Sequence, residues 1–230
     1  MIDGDTISWG ASGLKLYTEN NVSEINFGDA VVFRPYDFDD RYNTYIRYVL
    51  NFCKIDGLWL EFGVGSGATT EKYIKFMKES GVKKPFYGFD SFLGLPENWA
   101  THPVGAFSTG GRIPDLPGLE VVVGMFADTL PSFLLHPIAR KEPVSVLIVD
   151  CDLYSSTKTI FDNLKNQIVE GTVIIFDELY NYPSWENHEY KAFMEFIKEK
   201  DVSFRWLAYC GNTCQQAACI VEKIGKRGNM

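Results

Sequence analysis

The stretch Leu58-Trp-Leu-Glu-Phe-Gly-Val-Gly-Ser-Gly-Ala-Thr-Thr70 constrains the fold more than any other. Apolar residues run into Glu61, glycines follow at 63, 65 and 67, and Thr69-Thr70-Glu71 opens a helical pattern. This is the layout of a buried parallel strand turning sharply into a helix. Glycines permit positive φ and let a ligand approach the backbone, while the first turn of the following helix presents unpaired N–H groups. Such turns hold nucleotide-like cofactors in doubly wound α/β sheets. The spacing is E-x-G-x-G-x-G rather than G-x-G-x-x-G. By itself it is also compatible with an ordinary glycine-rich turn.

The rest of the chain supplies the context for that turn. With 230 residues, 46% of them apolar, it can bury one sizeable α/β core. A net charge of −8 disfavours nonspecific nucleic-acid or anionic-membrane binding. No apolar run approaches bilayer length, and Met1-Ile-Asp-Gly-Asp lacks the pattern of a signal peptide, so a cytoplasmic protein is expected. Cys210, Cys214 and Cys219 lie close in sequence, but without a second C-x-x-C or a His pair they are read as reduced and structural rather than zinc-binding.

Residues 1–36 read as an irregular extension with weak alternation at Ala30-Val-Val-Phe33, with room for one small strand. The main domain is placed at 37–230. Asp39 or Asp40 is expected to cap a helix whose buried stripe is Tyr42, Tyr45, Ile46, Val49, Leu50 and Cys53. Strands and helices then alternate, as in βαβ units. Strands are expected at Leu58, at Phe86–Asp90, Leu119–Val123, Val144–Asp150 and Thr172–Asp177, with helices over Glu71–Ser80, Thr129–Leu135 and around Ile160–Ile168. Ser184 is expected to cap a last helix with Tyr190, Phe193, Met194 and Ile197 inward, before a closing hairpin from Phe204 to Val221. The result is a Rossmann-like, seven-stranded, mostly parallel sheet with a C-terminal antiparallel hairpin. Residues 91–118 carry nine Gly or Pro and little periodicity. A loop of that length points to a lid or substrate-binding insertion.

Carboxylates finish four of the five parallel strands: Glu61, Asp90, Asp150 and Asp177. Any one of them can simply cap the next helix, but ligands of such sheets bind beyond this rim. Asp90 suits a ribose diol, which NAD and S-adenosylmethionine share. The candidate cofactor contacts are Glu61, Gly63, Gly65, Ser66, Thr69, Asp90, Ser91, Gly124, Met125 and Phe126. Asp150, Asp152, Asp177 and Glu178 follow adjacent strands and cannot all remain ionised side by side without a cation. Oxygen-only ligands favour Mg²⁺, Mn²⁺ or Ca²⁺. A transferase that must acidify an attacking hydroxyl benefits from such a cation, whereas a dehydrogenase does not need one. Asp150 and Asp152 are the candidate proton acceptors, with His188 and His102 as alternatives. Tyr180, Trp185 and Trp99 are candidates for an acceptor wall or for core packing.

The segments Leu60–Gly65, Gly88–Pro96, Gly124 with Asp128–Pro131, Asp150–Thr157 and Asp177 through Trp185 and Phe193 resemble the macrocin O-methyltransferase family in order and spacing. The resemblance spans roughly residues 55–200. It implies a class I fold, S-adenosylmethionine, and Mg²⁺- or Mn²⁺-assisted transfer to a hydroxyl of a sugar or sugar-containing small molecule. It also implies Asp150, Asp177 and Glu178 as metal ligands, Glu178 standing where the family often has a second Asp. A homo-oligomer is compatible with it. An NAD-linked oxidoreductase and a noncatalytic interaction domain remain alternatives at this stage.

Overall fold

The computed structural model describes residues 14–16, 23–211 and 214–225. A short antiparallel pair, β1 (Leu14–Leu16) and β2 (Ser23–Ile25), stands apart from the main sheet. The chain continues through β3 (Val31–Phe33) into α1 (Phe38–Arg41), which passes through a π-helical segment, Tyr42–Ile46, into α2 (Arg47–Leu50). Next come β4 (Leu58–Phe62), α3 (Ala68–Glu79), β5 (Phe86–Asp90), β6 (Leu119–Val123), α4 (Phe126–Phe133) and α5 (Pro137–Lys141). They are followed by β7 (Val144–Val149), α6 (Tyr154–Leu164), β8 (Val173–Phe176), α7 (Glu189–Lys200), β9 (Val202–Cys210) and β10 (Ala217–Ile224).

The main sheet has the order β3-β9-β10-β8-β7-β4-β5-β6. Strands β4 to β8 run parallel, and β10 pairs antiparallel with both β8 and β9. The expected fold is present, with one strand more than the seven read from the sequence. The addition is β3, whose three residues lie parallel to β9 in the register Val31↔Ala208 to Phe33↔Cys210. It covers what would otherwise be an open sheet edge. It falls on the weak alternation at Ala30–Phe33, where the sequence allows a small strand but three residues are too few to place it in the main sheet.

Every residue of β4, β7 and β8 is buried, because helices cover both faces. On one face Leu58, Leu60, Phe62, Ile174 and Phe176 cluster with Ile160, Phe161 and Leu164 of α6 and Phe193 and Phe196 of α7. On the other, Trp59, Val146, Ile148 and Ile175 cluster with Tyr45, Val49, Leu50, Tyr73 and Met77. Each large apolar side chain so enclosed contributes roughly 1.5–3 kcal/mol. Cys219 belongs to the first face and Cys210 to the second, so these thiols are separated by the sheet, and all five cysteines are free. Among the described residues no helix is long and apolar enough to cross a membrane.

Three local expectations are corrected. The cap of α1 is Asp37, whose carboxylate accepts the Asp40 N–H at 2.8 Å, while Asp39 pairs with Lys72. Ser184 makes no capping bond; its φ of 61° starts a 3₁₀ turn, Trp185–Asn187, and α7 begins only at Glu189. The fully buried positions of α7 are Glu189, Ala192, Phe193 and Phe196, while Tyr190, Met194 and Ile197 are partly buried at its flank. The stripe is therefore turned toward the N-terminal Glu, a position that an apolar-only count skips.

Residues 91–118 form a coil with one isolated bridge, Trp99–His102. The coil nevertheless has a core of its own: Phe92, Leu95 and Trp99 are buried. The Leu95 N–H donates to Ala106 and the Gly105 N–H to Leu95, each at 2.9 Å, and the Glu97 carboxylate accepts the Ser155 hydroxyl of α6 at 2.5 Å.

Candidate active site

Strands β4 and β7 are neighbours from which the chain order runs outward in opposite directions, so a crevice opens between their carboxyl ends. A cavity of about 620 Å³ lies there, within the range of small-molecule sites. Its lining includes Gly63 to Ser66, Thr69, Asp90, Ser91 and Gly124 to Phe126, together with Asp150, Asp152, Glu178, the first turns of α6, and Gly94, Leu95, Pro96 and Phe107 of the 91–118 segment.

Two glycines of the turn act for different reasons. At Gly63, φ 102°, a Cβ would lie 1.7 Å from the Asp150 carbonyl oxygen, so only glycine lets β4 turn against the end of β7. At Gly65, φ 52°, a Cβ would meet nothing within 4 Å, leaving its backbone open on the cavity side. Asp90 braces this turn. Its Oδ2 accepts the N–H groups of Val64 at 2.9 Å and Gly65 at 2.8 Å, and its Oδ1 accepts that of Phe92 at 2.7 Å. A carboxylate has about four lone-pair sites, so roughly one remains for a ligand hydroxyl.

Glu61 does not line the cavity. It is fully buried behind the turn, its Oε2 accepting the Thr70 hydroxyl at 2.5 Å, and burial pushes its pKa up to about 8. Its protonated form is therefore the dominant one at neutral pH.

Asp150 follows β7, and Asp177 and Glu178 follow β8; carboxylate oxygens of all three lie within 4.8 Å of one another. Burial and then Asp177 push Asp150 and Glu178 well above the ordinary carboxylate range. Asp152, at the cavity wall, is pushed up to about 7 by burial and then by Asp177. Oε2 of Glu178 is enclosed and has no hydrogen-bond partner. Crowded carboxyls with an orphaned oxygen form a donor set suited to a hard divalent cation.

Two charged residues at this centre escaped the sequence reading. Arg41, the last residue of α1, reaches Asp177 at 3.5 Å. Glu189 accepts backbone N–H groups of Cys151 and Asp152. Arg41 lies in a helix legible only by its apolar stripe, and Glu189 reads as an ordinary acidic first turn. The remaining candidates lie elsewhere. His102 stacks on Trp99, 5.4 Å between ring centroids, and His188 sits 6.0 Å from the Tyr182 ring with its pKa lowered by burial; neither lines the cavity. Tyr180 and Trp185 are core residues, and Trp99 packs against Tyr182, so the apolar side of the cavity is supplied by Leu95, Pro96 and Phe107 instead.

A doubly wound sheet with a glycine turn, a braced strand-end Asp and a cavity at the switch point defines the class: a Rossmann-like α/β protein of the methyltransferase type. Residues 60–179, just over half of the chain, match the methyltransferase domain family, and the chain belongs to that family. Among solved structures it is similar to the O-methyltransferase NovP (19% identity, TM-score 0.61, 80% of this chain and 79% of that one). It is also similar to CalS11, a calicheamicin methyltransferase (20% identity, TM-score 0.59, covering 78% and 76%). The apo form of CalS11, described as a TDP-rhamnose 3′-O-methyltransferase, gives a TM-score of 0.53 at 20% identity, covering 78% and 76%. At these identities the likeness is one of fold. No curated protein sequence matches the chain.

Proposed function

We propose that this chain is an S-adenosylmethionine-dependent, divalent-cation-assisted O-methyltransferase acting on a hydroxyl of a sugar or sugar-containing small molecule. The observation that carries this reading is the placement of Asp150, Asp177 and Glu178 within 4.8 Å of one another beside a cavity that the glycine turn also lines. Membership of the methyltransferase domain family favours a methyl donor over NAD. The sugar assignment is supported by the resemblance to macrocin O-methyltransferases and by the sugar-directed name of one structural neighbour.

When bound, the donor supplies an electrophilic methyl group and a cation such as Mg²⁺ or Mn²⁺ supplies Lewis acidity at the acceptor oxygen. The chain does the rest. Gly63, Gly65, Ser66 and Thr69 offer backbone and hydroxyl contacts for the donor, Asp90 and Ser91 its ribose site, and Gly124, Met125 and Phe126 its base site. Asp150, Asp177 and Glu178 hold the cation. Asp152 lies at the cavity wall outside that triad and takes the acceptor proton on its carboxylate. Leu95, Pro96 and Phe107 give the acceptor an apolar wall, and residues 91–118 serve as the lid that excludes water.

Calorimetric titration with S-adenosylhomocysteine, in Mg²⁺ and again in EDTA, tests the reading. Saturable binding followed by turnover with a vicinal-hydroxyl glycoside is the expected result. Absence of binding in both buffers, with NAD run alongside, would overturn it.

A further inference from the structure

Glu189, the first residue of α7, is fully buried. Its Oε1 accepts the N–H of Cys151 at 3.3 Å and that of Asp152 at 3.1 Å, across 38 and 37 residues of sequence. Its Oε2 is enclosed and has no hydrogen-bond partner. The backbone it grips is unusual: Asp152 has φ 63°, a left-handed conformation that non-glycine residues seldom hold without support from their surroundings. The Leu153 N–H then folds back onto the Cys151 carbonyl at 2.6 Å, and α6 begins at the next residue. Two successive N–H groups facing one way make an anion-binding concavity. Here the concavity is filled by a side-chain carboxyl oxygen of the same protein, delivered from another helix.

We infer that Glu189 is a positioning residue, whose carboxylate pins the Cys151–Asp152 peptide and so sets the direction in which the Asp152 side chain meets the cavity. The alternative anchors are poor. Asp152 follows β7 by three residues, outside the ladder that fixes Val149, and no other side-chain acceptor is recorded on these two N–H groups among the described residues. The turned stripe of α7 agrees with this role, since Glu189, Ala192, Phe193 and Phe196 face inward together and bring the carboxylate to the strand end. The value of a pinned Asp152 to catalysis rests on the methyltransferase reading; the pinning itself does not.

Amide hydrogen exchange measured by NMR on the full chain separates these two claims. In Glu189→Ala the Cys151 and Asp152 amides should exchange about tenfold faster or more, while Leu147 and Ile148 in β7 keep their protection. Glu189→Gln retains an acceptor oxygen of the same reach and should restore protection at both amides. Glu189→Asp, one methylene shorter, should fall between, and serves if the alanine variant does not fold. S-adenosylhomocysteine affinity should stay within about twofold in the aspartate variant, since Glu189 does not itself line the cavity. Unchanged protection of residues 151 and 152 in both the alanine and aspartate variants would overturn the inference. So would equal acceleration throughout β7, which would mark a general loss of stability. If the wild-type protein binds no S-adenosylhomocysteine, the functional reading fails while the exchange result still decides the role of Glu189.

Discussion

Gly63 lies so close to Asp150 that a Cβ added to the glycine would sit 1.7 Å from the aspartate carbonyl oxygen. The obstructing atom is backbone and cannot swing away. The same peptide carries a carboxylate of the proposed cation site, so the donor turn and the acidic centre share one tight junction. Gly63→Ala combines a left-handed φ of 102° with overpacking, and should cost about 2–5 kcal/mol. Gly81 is the internal comparison: its φ is 75°, but nothing stands within 4 Å of its would-be Cβ. Gly81→Ala should cost only about 1–2 kcal/mol from backbone strain. Urea unfolding of the two variants checks this, and equal losses would show that the junction is not the constraint.

Asp90 is expected to serve the turn as much as the ligand. Three backbone N–H groups depend on its carboxylate, at 2.7 to 2.9 Å. Hydrogen bonds to charged groups contribute about 1.5–3 kcal/mol each, net of those made with water in the unfolded chain. Asp90→Ala should therefore lower the melting temperature as well as weaken S-adenosylhomocysteine binding by about tenfold or more. Asp90→Asn, which keeps one acceptor oxygen, should be milder in both. A variant that lost affinity at unchanged stability would show that the N–H bonds are dispensable.

The contrast between Asp90 and Glu189 shows what the sequence makes legible. Asp90 ends an apolar strand a fixed distance after a glycine turn, and strand ends in a parallel sheet converge on one rim, so its location follows from topology. The same reasoning brings Asp150, Asp177 and Glu178 together. Glu189 reaches the site only because α7 rotates by about one position from its most apolar stripe, a packing decision made by Phe193 and Phe196 against the sheet. Arg41 stands where α1 passes into a π-helical segment, a departure from 3.6-residue periodicity that no residue pattern announces. The aromatic residues mislead for a related reason. Tyr180 and Trp185 follow a strand end, where ligands gather, yet they are consumed by the core.

The acidic centre makes stability depend on pH in a direction opposite to that of most salt-bridged carboxylates. Asp150, Glu178 and Glu189 are held well above the ordinary range by burial and by one another, while Asp152 titrates near 7 and Glu61 near 8. Between about pH 4 and pH 8 the folded chain thus holds more protons than the unfolded one. Stability must fall as pH rises through this window, by at most about 1.4 kcal/mol per pH unit for each such group. In EDTA the protein should melt at a higher temperature at pH 5.5 than at pH 8. Adding Mg²⁺ or Mn²⁺ at pH 8 should recover part of the difference, because a cation bound only by the folded state stabilises it by mass action. A melting temperature in EDTA that rises steadily from pH 5.5 to 8 would contradict the burial of these carboxyls.

Replacement of single carboxylates separates cation binding from donor binding. Asp150→Asn and Asp177→Asn each remove a charged oxygen from a set of three, and each should weaken Mn²⁺ binding by about 100-fold or more, since even outer partners of metal ligands are worth 10–100-fold. The proposed donor contacts, Gly63–Ser66, Asp90 and Gly124–Phe126, include neither of these carboxylates, so affinity for S-adenosylhomocysteine in EDTA should remain within a few-fold of wild type. Asp177→Asn carries a second consequence, because it also strips Arg41 of its partner. A partly buried guanidinium that loses its paired carboxylate is costly, so this variant should lose stability, whereas Asp150→Asn leaves that pair in place and should lose less. Manganese titration followed by electron paramagnetic resonance, with melting curves on the same samples, reads both effects. Wild-type Mn²⁺ affinity in both variants would remove the cation site, and with it the reason to place hydroxyl activation beside these carboxylates.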